Sequence, residues 1–223
     1  MKRPWRQTTD DDERFPLATA VKICGITRAE DAEAAAAAGA HAIGMIFYAG
    51  SGRAVSTAVA RRIVDALPPF VTPVALFVNP TAAEVRRVTE EVGARLLQFH
   101  GEEPPEFCAQ FGLPHIKAAK VNPEVDLLQY ARLHGKAKGL LLDAFVAGSQ
   151  GGTGTTFDWA LIPARLSLPL ILAGGLNPDN IGDAIRKVRP WAVDVSSGVE
   201  SAIGKKDAAK IAAFMRGVRN ADG

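Results

Sequence analysis

The chain has 223 residues, 48% of them apolar and 22% charged, with a formal net charge of +2. That length suits one large single-core domain or two small ones, and basic residues scattered along the chain leave no electrostatic footprint for nucleic acid or an acidic membrane surface. Two cysteines, Cys24 and Cys108, are too few for a disulfide framework, so reduced thiols in a cytoplasmic protein are expected.

Met1 to Thr19 is polar, with DDDER at its centre. It lacks the apolar h-region of a secretory signal, and its acidic residues argue against an amphipathic targeting sequence. It is read as a flexible extension, 1–20, ahead of one domain, 21–223. No apolar run approaches 18 residues, so no transmembrane helix is expected. From Val21 onward, short β-prone runs alternate with helix-prone stretches. The strand candidates are 21–24, 41–47, 72–78, 95–99, 115–119, 139–143, 169–173 and 191–195. Helical candidates between and after them are 28–39, 56–67, 81–93, 104–112, 122–135, 177–188 and 205–218. Thr27 and Ser56 read as N-caps, Pro178 as a first-turn proline, and Gly39, Gly93 and Gly135 as helix-terminating glycines.

Apolar strands repeating every 20 to 30 residues with a helix between imply a parallel sheet covered by helices. Eight units in about 200 residues fit a single-domain (β/α)8 TIM barrel. A doubly wound open sheet is the alternative, but it usually has five or six strands. In such a barrel, chemistry sits at the C-terminal ends of the strands. Cys24 closes the first predicted strand and Asp143 the sixth, three strands apart around a closed ring, so the two face each other across the mouth. A thiolate that takes a proton and a carboxylic acid that gives one are the minimum equipment for an isomerase without a cofactor.

Each candidate also has a plain structural reading. Most free cysteines are small buried apolar residues. Strand alternation puts Lys22 on the face of Cys24, one layer down, where it either favours the thiolate or pairs with an acid inside the barrel. Asp143 ends a buried strand, an unfavourable place for a carboxylate unless it caps the following loop or serves as an acid. Asp194, inside the eighth strand, either touches a ligand or balances Lys22. Glycine-rich turns occur at 148–154, 173–180 and 195–200. The last two follow strands seven and eight, the usual phosphate site of such barrels, with Gly174, Gly175, Ser196, Ser197 and Gly198 as the expected contacts. Arg53, in the loop after the second strand, is either a solvated loop residue or a bidentate clamp for a carboxylate. Gln98 and His100 close the fourth strand and line the mouth, either toward substrate or as wall residues. His41, His115 and His134 lie at helix–strand junctions, Cys108 reads as packing, and no set of residues has metal-ligand spacing.

The segments KICGIT, GMIFYAGSGRAVS, LLQFHGEE, LLLDA, GGTGTTFDW, AGGLNPDNI and DVSSGVE occur in order. Together they resemble the phosphoribosylanthranilate isomerase family of tryptophan biosynthesis, from about Val21 to the C-terminus. The resemblance implies an Amadori rearrangement of N-(5'-phosphoribosyl)anthranilate, a small phosphosugar substrate, to 1-(2-carboxyphenylamino)-1-deoxyribulose 5-phosphate. It implies Asp143 as the acid that opens the furanose ring, Cys24 as the base at C2′, Arg53 on the anthranilate carboxylate, and the glycine and serine turns on the phosphate. Two departures stand out: Thr155 occupies a position where the family commonly carries lysine, and the AGSGR loop lacks a second basic residue. The sister isomerase of histidine biosynthesis carries aspartate at the Cys24 position, and indole-glycerol phosphate synthase uses lysines and a glutamate; neither pattern fits. A phosphate-binding module without catalysis is the remaining competitor, and the presence of both Cys24 and Asp143 argues against it. Monomer and homodimer stay open.

Overall fold

The computed structural model describes residues 18–122, 124–144 and 158–223. The 148–154 turn, Thr155 and all but the last few residues of the expected extension lie outside them. Eight strands form a closed parallel barrel in sequence order: β1 (Ala20–Cys24), β2 (Ala42–Ile46), β3 (Thr72–Phe77), β4 (Leu96–Phe99), β5 (His115–Val121), β6 (Leu140–Ala144), β7 (Leu170–Leu172) and β8 (Ala192–Val195). Closure comes from β1 pairing with β8, with Lys22 opposite Asp194. The expected barrel is the observed one, and every strand candidate overlaps its strand.

Around the barrel lie α1 (Ala29–Ala38), α2 (Thr57–Asp65), α3 (Ala82–Val92), α4 (Pro105–Ala109), α5 (Leu127–Leu133), α6 (Ile181–Val188) and α7 (Ala208–Asp222). The period of two along each strand divides two cores. Val21, Ile23, Ile43, Met45, Ala75, Phe77, Leu97, Phe99, Val193 and Val195 face outward and pack against the helices. Ile116, Ala118, Leu141, Ile171, Ala173 and Ala192 fill the barrel interior. Above that plug, the inward positions stop being uniformly apolar: Cys24, Gln98, Asp143 and Asp194 are all buried there.

The expected helix-end signals hold in part. The Ser56 hydroxyl accepts from the Val59 N–H, and Gly39 and Gly93 take left-handed conformations where α1 and α3 end. Thr27 is not an N-cap: Arg28 occupies that place, and the Thr27 hydroxyl instead donates to the Gly204 carbonyl. Pro178 lies in a turn capped by Asn177, three residues ahead of α6. Gly135 follows α5 without the left-handed φ. Lys205 and Lys206, expected to start the last helix, form β10, which pairs antiparallel with β9 (Glu200–Ala202). At the start of the domain, Thr19 donates through its N–H and its hydroxyl to the two oxygens of Asp222, at 2.8 and 2.6 Å, tying the first strand to the last helix.

Candidate active site

A cavity of about 480 Å³ opens at the C-terminal ends of the strands. Cys24, Arg53, Gln98, His100, Asp143, Gly174, Gly175, Asp194, Ser196 and Ser197 all line it. Of the residues expected from sequence, Gly198 is the exception. It packs behind the loop, where a Cβ would stand 1.9 Å from the Leu176 carbonyl oxygen, so a close approach of two loops accounts for this glycine.

Cys24 is 4% exposed and sits above Lys22 on the inner face of β1. Room for both comes from β2. A Cβ on Gly44 would lie 2.8 Å from the Cys24 sulfur and 3.1 Å from the Lys22 Nζ. Lys22 Nζ donates to Asp194 Oδ1 at 2.8 Å, a buried ion pair. Asp194 therefore balances the lysine and lines the cavity as well. Burial pushes the Cys24 thiol above its ordinary range; Lys22 pulls it back down and Asp194 pushes it up, and burial prevails. Lys22 acts in the expected direction, yet in the free enzyme it does not bring Cys24 below an ordinary thiol. The lysine itself would be lowered by burial, but Asp194 and Cys24 hold its ammonium above the usual range.

Asp143, the next-to-last residue of β6, has both oxygens engaged. Oδ1 accepts from the Ala144 N–H at 2.9 Å, and Oδ2 lies 3.1 Å from His100 Nε2. Gln98 Nε2 in turn lies 2.9 Å from His100 Nδ1. Gly174 has φ +82°, and a Cβ there would meet the Ala144 nitrogen at 2.6 Å and Asp143 Oδ1 at 3.0 Å, so only glycine lets the β7 exit approach the acid this closely.

Arg53 differs from the simple clamp. Its Nε and Nη2 donate to the two oxygens of Glu200 at 2.8 and 2.7 Å. One edge of the guanidinium is thus occupied, and its remaining N–H groups are what it can offer to a ligand. Lys206 Nζ donates to Glu200 Oε1 at 2.8 Å and to the Ser196 carbonyl at 3.1 Å, joining the arginine to the β8 exit. Burial alone would raise Glu200, but hydrogen bonds from Arg53 and Lys206 outweigh it and hold the carboxyl below its usual range. Gly44, Glu200 and Lys206 escaped the sequence reading. A glycine inside the β2 run was the visible signal for close approach; the Glu200–Arg53 pair spans 147 positions and leaves no local trace.

Among the described residues, no group of three or more His, Cys, Asp or Glu side chains is placed to hold a metal ion. No helix there is long and apolar enough to cross a membrane.

Residues 21–217 match the family model described as N-(5'-phosphoribosyl)anthranilate (PRA) isomerase. N-(5'-phosphoribosyl)anthranilate isomerase of Nitrosospira multiformis is 60% identical over 198 residues, covering 89% of this chain and 95% of that protein. Phosphoribosyl anthranilate isomerase from Thermotoga maritima superposes with a TM-score of 0.82 at 43% identity, over 91% of this chain and 99% of that one. A structure of phosphoribosyl anthranilate isomerase in complex with reduced 1-(o-carboxyphenylamino)-1-deoxyribulose 5-phosphate superposes with a TM-score of 0.79 at 42% identity, over 91% and 99% of the two chains. The chain belongs to the N-(5'-phosphoribosyl)anthranilate isomerase family and is an isomerase of tryptophan biosynthesis built on a (β/α)8 barrel.

Proposed function

We propose that Asp143 and Cys24 are the general acid and general base of the Amadori rearrangement of N-(5'-phosphoribosyl)anthranilate. The observation that carries this is their arrangement: one acid and one thiol, on strands three apart in the closed ring, lining one cavity. Asp143, protonated, gives its proton to the furanose ring oxygen; the C1′–O bond breaks and the anilino nitrogen supplies the electrons of the resulting Schiff base. The Cys24 thiolate takes the C2′ proton, and the C2′–H electrons form the enolamine double bond. Tautomerisation then yields the aminoketone: C1′ takes up the proton held by Cys24 and the C2′ hydroxyl gives one up to Asp143, which restores the thiolate and the acid. Atoms and electrons balance within the substrate, so the cycle needs no cofactor.

The remaining lining residues support the binding half of the reading. Gly174, Gly175, Ser196 and Ser197 come from the exits of adjacent strands β7 and β8 and suit the phosphate, with Gly198 supporting the turn. Arg53 suits the anthranilate carboxylate through the N–H groups that Glu200 leaves available. Gln98, His100 and Asp194 complete the wall around the sugar. Cys24 works only as a free thiol, which is the argument for a reducing, cytoplasmic setting.

Turnover of freshly made substrate, followed by loss of its fluorescence, tests the assignment. Cys24→Ser and Asp143→Asn are each expected to lower kcat by about 10²–10⁴. Near-normal kcat in either variant removes that residue from its role.

A further inference from the structure

Resting on that reading of Asp143 as the acid, a second layer of the site has a job of its own. We propose that Gln98 and His100 form a positioning pair for Asp143: Gln98 fixes the tautomer of the imidazole, and His100 holds the carboxyl group and shares the charge left on it when its proton goes.

The argument starts from hydrogen-bond capacity. A neutral imidazole carries one donor and one acceptor nitrogen. The Gln98 amide N–H donates to Nδ1 at 2.9 Å, which makes Nδ1 the acceptor and leaves the ring proton on Nε2. Nε2–H then points at Asp143 Oδ2, 3.1 Å away. With Oδ1 bound to the Ala144 N–H, the carboxyl plane is fixed by one contact on each oxygen. Each oxygen keeps a second lone pair, so the carboxyl group can still carry and deliver a proton toward the cavity. Once that proton is delivered, the Nε2–H bond becomes charge-assisted and stronger. Such a contact favours the state after transfer over the state before it, which is the condition for lowering a barrier.

The pair is itself held from behind. Immediately after His100, the Gly101 N–H donates to the Glu103 carboxylate at 3.0 Å, and the Asn79 N–H does so at 2.8 Å from the neighbouring loop. Glu103 pairs with Lys117 at 3.2 Å, both side chains essentially inaccessible, and Lys117 donates to the Gly101 carbonyl at 2.6 Å. This network lies outside the barrel wall and fixes the β4 exit that carries His100. Gln98 is fully buried, yet its Oε1 has no partner among the described residues. An unmet buried acceptor is unfavourable. A glutamine kept here at that cost points to a use for its other end, the N–H on Nδ1.

Single-turnover kinetics with His100→Ala, Asp143→Asn and the double variant test the proposal. His100→Ala should lower kcat on the order of 10²-fold with KM within about threefold, the cost of a misplaced reacting group. In the Asp143→Asn background the same change should cost less than about threefold, because the histidine acts through the acid. His100→Gln, whose amide N–H can reach Oδ2, should recover part of the loss, and it separates positioning from a folding defect. A rise in KM with kcat intact, or an undiminished cost in the Asp143→Asn background, overturns the proposal. The two levels fail separately. Normal kcat in Asp143→Asn removes the acid assignment and the pair with it; a crippled Asp143→Asn beside a normal His100→Ala removes the pair alone.

Discussion

Replacing Lys22 with methionine is the sharpest probe of how Cys24 becomes a base. Sγ and Nζ lie within 2.8 and 3.1 Å of one point above Gly44, so they are no more than about 6 Å apart. A unit positive charge at that distance lowers the energy of a thiolate by roughly 3 kcal/mol at an effective dielectric of 20. Lys22→Met removes all of this attraction and leaves the repulsion from the Asp194 carboxylate in place. Lys22→Met should therefore move the pH dependence of Cys24 alkylation upward. It should also lower kcat/KM on the order of 100-fold near pH 7.5, with the loss shrinking as pH rises. The substitution strands a buried Asp194, which can cost 3–5 kcal/mol of stability, so Lys22→Met/Asp194→Asn serves as partner variant. It removes attraction and repulsion together and should show a smaller upward shift. An alkylation midpoint unchanged in both variants refutes the electrostatic account of Cys24.

Glu200→Gln removes the charge that grips Arg53 on one edge; KM for substrate should rise about tenfold with kcat little changed, and an unaltered KM would show that Arg53 needs no such support. Gly44→Ala puts a methyl group against the sulfur and the ammonium; kcat should fall while the melting temperature changes modestly, and full activity would mean that the Cys24–Lys22 geometry has slack. Burial pushes His134 down to about 4, with Lys117 acting in the same direction. Its folded value is depressed below an unfolded value near 6.5, so the unfolded chain binds the extra proton between those limits. Stability should accordingly fall as pH drops from about 6.5 toward 4. His134→Leu should reduce that loss, measured by urea midpoints across the range; an equal slope in the variant would rule out His134 as its source.

The barrel was legible because each strand is a short apolar run of its own, and because Cys24 and Asp143 break those runs at their last or next-to-last residue. Arg53 was legible only as an isolated arginine. What constrains it, Glu200 together with Lys206, sits on a hairpin in which Lys206 reads locally as the start of a helix and Glu200 as the end of a glycine-rich turn. Thr27 misled for the same reason: its sequence neighbours a helix, but its hydroxyl bonds to Gly204, far away in the chain. His100 was visible as a residue near the mouth, whereas its bond to Asp143 depends on bringing β4 and β6 to one side of the barrel. Pairings of this kind are set by closure of the ring and not by any local pattern, so sequence located the groups and left their partners to the structure.

The clasp between Thr19 and Asp222 has an engineering consequence. It brings the two ends of the domain together on the face where the strands begin, opposite the mouth. A short linker could join those ends, and new ones could be cut into an exposed connection on the same side, such as the Pro69–Phe70 bend between α2 and β3. Such a circular permutant keeps every strand pairing of the ring, including β1 with β8, and keeps its new ends away from the cavity. Chain order and barrel order are in this sense separable: the ring is a cycle, and the clasp marks one of several places where evolution could have opened it.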